Sequence, residues 1–315
     1  MDDGLKQVEA IADAVLYEGY VLYPYRASSV KNQQRFNWGT LMPPTYVEAS
    51  RGSERSSMTT QVLAEGEVSV RIKIRFLQLI ERTDTNDSQP WQESIERTID
   101  LPALRECGAI DEPFHFDFDR RVQDSTVRQG APISGRVVAR MEPTGQDGVL
   151  RVSVTVENET PFVMSDDSTR TDGLLTSMAS VHVIMVTKGG QFISSIDPPE
   201  RYADLAATCP NDGLFPVLAG PDSETRFMLA CPIILYDYPE IASESAGDLF
   251  DGTEIDEILS LRILTLTDEE KAEMRALDER TRRILERTES LPAEQFAKLH
   301  GALRGLKPKA NYGRA

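Results

Sequence analysis

The spacing of apolar positions changes along the chain. Between residues 5 and 17, Val8, Ile11, Ala12, Val15 and Leu16 recur at helical spacing and predict a short amphipathic helix. From Ser57 the period drops to two. The run MTTQVLAEG is followed by EVSVRIKIRFLQLIER, in which Val68, Val70, Ile72, Ile74 and Phe76 share one face. Ser69, Arg71, Lys73 and Arg75 take the other face, the pattern of a half-buried strand. ESIERTIDLPAL reads as a strand and a turn, and PFHFDFDRRV as a further alternating strand. SGRVVARMEP and GVLRVSVTVENET flank TGQDG and predict a hairpin. VHVIMVT and QFISSID flank Lys188-Gly189-Gly190 and predict a second hairpin, and TRFMLACPIIL supplies one more apolar strand.

Many short strands joined by polar turns, with no regular alternation of strand and helix, give a mainly β (α+β) class. The expected architecture is an antiparallel β-sandwich or barrel-like sheet with a helical C-terminal tail. Thr267-Asp268-Glu269-Glu270 has the form of a capping box, and Met274, Leu277, Ile284 and Leu285 form a thin apolar stripe behind it. A second helix start is expected at Ser290, with Pro292 in its first turn and Phe296, Leu299 and Leu303 as its stripe. The expected division is residues 1–56, an N-terminal helix and wrapping segment; 57–236, the antiparallel domain; and 237–315, an acidic loop and helical tail.

Composition narrows the class. The 315 residues are 40% hydrophobic and 27% charged, enough for a real core under a solvated surface. The 34 Lys and Arg against 51 Asp and Glu leave a net charge of −17. That balance argues against nucleic-acid phosphates and anionic membranes, and favours partners with basic patches. No stretch approaches the roughly 18 apolar residues of a bilayer span, and the acidic N-terminus lacks the form of a signal peptide. A cytoplasmic protein is expected. Cys107, Cys209 and Cys231 form no CxxC pair, so no zinc or iron–sulfur framework is indicated and no cofactor is expected.

Three segments carry candidate chemistry. In Phe114–Asp119, period two puts the three Phe on one face and His115, Asp117 and Asp119 on the other. A His with two carboxylates has the donors for a divalent metal, or for acid–base work. The plainer reading is a Phe face on the core, polar residues in water, and Asp119 paired with Arg120 or Arg121. In the N-terminal stretch, Arg26, Lys31, Arg35, Phe36 and Trp38 combine basic and aromatic side chains, the residue types that dominate interface hot spots. Arg26, Arg35, Phe36 and Trp38 are the candidate partner-binding residues; the alternative is a loop that buries its own aromatics. The stretch Asp237–Glu257 is rich in carboxylates and has no Lys or Arg, as a cation site, a docking face for a basic partner or a solvated loop would. Cys209-Pro210 and Cys231-Pro232 repeat a local pattern that reads most simply as two buried thiols. His182 lies inside an apolar strand, where a hydrogen-bonded core residue is expected. No G-x-S-x-G, Walker or dinucleotide-binding pattern is present.

The stretches LYPYRASSVKNQQRFNWG, SIDPPE with CPNDGLFPVLAG, and PIILYDYPEIASESAGDLFDGTEIDEILSLRILTLTDEEKAEMRALDERTRRILER carry a resemblance. They resemble an uncharacterised family of roughly this length encoded beside actinobacterial-type, oxygen-tolerant NiFe-hydrogenases. The resemblance covers most of the chain and carries over no catalytic residue. It implies an accessory or assembly role in hydrogenase maturation. The leading expectation is therefore a non-enzymatic accessory protein that binds another protein, such as a hydrogenase subunit. The rivals are a metal-dependent enzyme or metallochaperone using His115, Asp117 and Asp119, and a structural subunit of a larger complex.

Overall fold

A computed structural model describes residues 3–17, 39–84, 91–105, 108–123, 125–221, 223–240, 263, 266–277 and 279–290. The fold is built around one strand, β1 (Ser57–Asp84), of 28 residues. The two sequence runs either side of Gly66 are halves of this strand. Such length is sustained because other strands share its two edges in succession. On one edge β8 (Val149–Asn158) pairs with residues 57–65 and β2 (Trp91–Asp100) with residues 73–82. On the other, β9 (Met178–Ile193) pairs with residues 63–78 and β6 (Thr126–Gly130) with residues 80–84.

With β4 (Ala109–Phe116), β7 (Ile133–Pro143), β10 (Phe215–Leu218) and β11 (Phe227–Cys231), the main path of the antiparallel sheet runs β10-β11-β9-β1-β8-β7-β4. The short strands β3 (Leu104–Arg105) and β5 (Arg121–Gln123) pair with β1 and β6, giving eleven strands among the described residues. The sheet curls over without closing. Phe76, near the far end of β1, touches Phe114 and Phe116 of the edge strand β4 at ring separations of 6.0 and 5.8 Å. In the hydrogen-bonded order β8 and β7 stand between those strands, so only curvature brings the rings together. The alternating face Val68, Val70, Ile72, Ile74 and Phe76 is buried as expected, and forms the inner core with Val137, Ala139, Val152, Val154, Val183 and Met228.

The bend has a local cause. Between Gly66 and Ser69 the pairing slips by one residue against Lys188–Gly190 of β9, so β1 carries a bulge there. Lys188-Gly189-Gly190 is therefore not the turn of a hairpin: β9 runs straight through it as one strand of 16 residues. Gly189 has φ +85°, and a Cβ on Gly189 or Gly190 would fall under 3.0 Å from the carbonyl oxygens of Glu67 or Glu65. The glycines are there because two backbones approach closely at a corner, a role that such corner-turning bulges fill in orthogonally folded sheets.

The outer face of the sheet is covered by helices. Helix α1 (Asp3–Leu16) lays Val8, Ile11, Ala12 and Val15 on Ile184, Leu229 and Phe227. Between them in the chain come α2 (Pro44–Ala49), α3 (Arg170–Leu174), with Thr169 and Asp172 as a capping box, and α4 (Ala203–Ala206). The tail helices α5 (Asp268–Leu277) and α6 (Glu279–Glu289) place Met274, Ile284 and Leu285 against Leu16, Leu77, Leu79 and Ala179. The capping box at the start of α5 forms as expected: Thr267 N–H donates to Glu270 Oε2 at 3.0 Å and Glu270 N–H to Thr267 Oγ1 at 3.2 Å. The helix expected from Ser290 onward, with Phe296, Leu299 and Leu303, lies outside the described residues. Among the described residues no helix is long and apolar enough to cross a membrane.

Candidate functional site

The corner of the sheet places β1, the end of β9 and the β10–β11 edge around an open cleft of about 530 Å³. Glu65 stands on β1 immediately before the bulge, opposite Gln191 of β9. Its carboxylate is held from three sides. Tyr202 Oη donates to Oε1 at 2.5 Å, Gln191 Nε2 to Oε2 at 2.9 Å, and Arg201 Nη2 reaches both oxygens at 3.3 and 3.4 Å. The Tyr202 and Gln191 hydrogen bonds, with the Arg201 charge behind them, hold Glu65 below the usual carboxylate range. The same hydrogen bond to Glu65 raises the Tyr202 phenol. Arg201 also stacks on the Tyr202 ring at 4.6 Å, and Thr225 Oγ1 donates to Gln191 Oε1 at 3.2 Å.

The opposite wall is tied by Asp237. Its Oδ2 accepts from Ser194 Oγ at 2.5 Å and its Oδ1 from the Leu218 N–H at 2.8 Å. Ser194 Oγ in turn accepts the N–H groups of Ile196 and Asp197 at 3.1 and 2.8 Å, and Tyr238 N–H donates to Leu218 O at 2.7 Å. Asp237 thus fastens the chain leaving β11 to the edge of β10 and to the turn after β9. Beyond this frame the side chains are apolar and open to solvent: Tyr236 is 85% exposed, Ile234 76% and Ile196 48%.

Glu65 with Tyr202, Gln191 and Arg201, and Asp237 with Ser194, form a fixed, charged floor beside exposed apolar side chains. Sequence reasoning missed this assembly, because Glu65, Gln191, Ser194, Tyr202 and Asp237 come from three separate stretches of the chain, at residues 65, 191–202 and 237. One signal was in hand: SIDPPE and PIILYDYPE, two of the stretches that carry the resemblance, both line the cleft.

The expected His115, Asp117 and Asp119 site is only half assembled. The alternation holds, with His115, Asp117 and Asp119 exposed and Phe114, Phe116 and Phe118 half-buried. Strand β4 ends at Phe116, leaving Asp117 and Asp119 beyond it. His115 Nε2 lies 3.0 Å from Asp117 Oδ1 and Nδ1 lies 2.8 Å from Ser134 Oγ. Asp119 joins neither of them and makes no ion pair with Arg120 or Arg121. Among the described residues no group of three His, Cys, Asp or Glu side chains is placed to hold a metal ion.

Arg26, Arg35, Phe36 and Trp38 lie outside the described residues, as do Lys31 and the stretch 241–262. Cys209 and Cys231 sit in different apolar clusters; burial raises the Cys209 thiol and pushes Cys231 up to about 11, which disfavours the thiolate in both. His182 is fully buried, as expected of a core residue, but only half satisfied: Nδ1 donates to Ser180 O at 3.0 Å, while Nε2 has no partner among the described residues.

No family model matches the chain, and no curated protein matches it.

Proposed function

We propose that this chain is a non-enzymatic accessory protein of the cytoplasm that binds another protein during NiFe-hydrogenase assembly, and that the corner cleft is part of its binding surface. The observation that carries the binding role is Tyr236, which stands almost wholly in solvent and lines, with the half-exposed Ile196, a rigidly hydrogen-bonded cleft. Exposed Tyr and Ile cost solubility and are explained when a partner covers them. The Glu65–Tyr202 pair supports binding over catalysis. Glu65 is held low and Tyr202 high, each by the other, which moves both away from the neutral range where a general acid or base works. The hydrogenase setting rests on the resemblance, whose middle and final stretches contribute walls of this cleft.

The test is co-purification. The tagged chain, expressed in a host that makes the hydrogenase, should retain a hydrogenase subunit identified by mass spectrometry. Tyr236→Ala combined with Ile196→Ser should release that subunit while leaving the melting temperature in place. Normal hydrogenase maturation in cells lacking this chain would overturn the assembly role, and unchanged retention by the double variant would remove the cleft from it.

A further inference from the structure

A second surface lies at the opposite end of β1, on the inner face of the curled sheet. Cross-strand register places Arg121 of β5 opposite Arg128 of β6, and Arg128 opposite Arg82 of β1. Directly opposed residues of neighbouring strands share a face, so three arginines form one row across the sheet. Arg97 of β2, opposite Phe76, belongs to that same face, because residues 76, 78, 80 and 82 of β1 all point inward. Among the described residues Glu93 reaches into this row, accepting from Arg128 at 2.7 Å and from Arg82 at 3.2 Å. On a chain of net charge −17, this mouth of the inner core is locally basic.

Two of these guanidiniums are held without a counter-charge. Gln78 is fully buried, with Nε2 on Ala131 O at 2.7 Å, and its Oε1 accepts from Arg97 Nε at 2.7 Å. Arg97 Nη2 donates to Asp117 O at 2.9 Å, and the guanidinium stands 5.0 Å over the Phe116 ring. Arg121 stands 5.4 Å over Phe118. Among the described residues neither Arg97 nor Arg121 has a carboxylate partner. Burial, and then the nearby Arg121 charge, lower the proton affinity of Arg97. Folding therefore holds like charges together on a prepared frame, an arrangement that an arriving anion relieves.

We propose that this arginine mouth binds an acidic peptide segment of a partner protein, with carboxylates engaging Arg97 and Arg121. The half-buried rings of Phe116 and Phe118 beneath those guanidiniums decide for a peptide over a free phosphate ion. They offer apolar contact between the cationic points, which suits a segment alternating carboxylate and apolar side chains. This surface is separate from the corner cleft, so either can fail alone.

The experiment is fluorescence anisotropy on the full chain with a labelled peptide of alternating Glu and Leu. Binding is expected to weaken as salt rises. Arg97→Gln with Arg121→Gln should weaken it by about tenfold or more, as loss of charge-assisted hydrogen bonds does. Arg136→Gln, which removes an exposed guanidinium paired to Asp111 and Glu159 at another place, should leave binding unchanged. Circular dichroism melting checks that each variant is folded; should the double variant unfold, Arg121→Gln alone, on an exposed side chain, carries the test. Equal loss in Arg136→Gln, no binding by the wild type, equal binding of a Lys–Leu peptide, or displacement by inorganic phosphate at concentrations where chloride has no effect would each overturn the proposal.

Discussion

The backbone of Gly190 approaches the carbonyl oxygen of Glu65 so closely that a Cβ at position 190 would lie under 3.0 Å from it. The obstacle is backbone on the central strand, which has no rotamer to change. Gly190→Ala must therefore open the bulge that turns the sheet. The expected loss is about 2–3 kcal/mol, at the upper end of the overpacking range. Urea unfolding checks it: the midpoint should fall with the m-value unchanged. A midpoint equal to the wild type would show that the corner yields freely.

That relationship also marks where the sequence stops being legible. The period-two run from Val68 to Phe76 announces its own inner face, since burial of alternate residues leaves a local trace. Gly189-Gly190 is ambiguous by the same local standard: two glycines fit a tight turn, a bulge or a close approach, and only the strand across the sheet decides. The Phe114–Asp119 segment shows a milder limit. Its alternation is correct, yet its rings are only half-buried, because among the described residues β4 is the last strand on the main path of the sheet. The corner cleft leaves almost no local trace, since Glu65 and Asp237 are ordinary acidic residues until the fold sets Tyr202 and Ser194 beside them.

His182 should make the protein sensitive to mild acid. It is packed opposite Arg75 of β1, which is bound in turn to Asp13 of α1 and to Glu96 of β2. Burial pushes the imidazole down to about 3 from 6.5, with the Arg75 charge adding to the effect. Below pH 6.5 the unfolded chain takes up a proton that the folded chain refuses until about pH 3. The stability is thus fully present above pH 6.5 and is lost as pH falls from there towards 3, at up to about 1.4 kcal/mol per pH unit. His182→Gln should flatten that limb in the range above carboxylate titration. Identical acid slopes for both proteins would show that His182 is not the source.

The tail helices should depend on their apolar stripe far more than on their cap. Ile284 and Leu285 are buried against Leu77 and Leu79 on the outer face of the sheet, whereas the Thr267–Glu270 capping box is at the surface. Ile284→Ala is expected to cost about 2–4 kcal/mol through the cavity it leaves, and Thr267→Ala about 1 kcal/mol. Hydrogen exchange adds a spatial check. Ile284→Ala should accelerate exchange throughout α5 and α6, while Thr267→Ala should affect the first turn of α5 alone. If the cap variant proves the more damaging, the tail is not held by this seam.

Tyr202 and Tyr236 line the same cleft and should respond in opposite ways. Tyr202 is buried and its hydroxyl gives Glu65 its shortest hydrogen bond, the main reason that the carboxyl titrates low. Tyr202→Phe should cost about 1 kcal/mol at neutral pH. The sign follows from Glu65: its depressed titration adds stability above the ordinary value of 4.5, and that stability is lost as pH falls. The cost of Tyr202→Phe should therefore shrink in acid, once Glu65 is protonated in both proteins. Tyr236 makes no comparable bond and is 85% exposed, so Tyr236→Ala should shift stability by no more than about 0.5 kcal/mol. Its effect belongs to partner binding, where an exposed tyrosine becomes an anchor when covered. Unfolding curves at neutral and acid pH, set beside subunit retention for each variant, separate the two roles. If Tyr236→Ala destabilises the chain as much as Tyr202→Phe and partner retention survives, Tyr236 is a structural residue and the cleft loses its role as a docking surface.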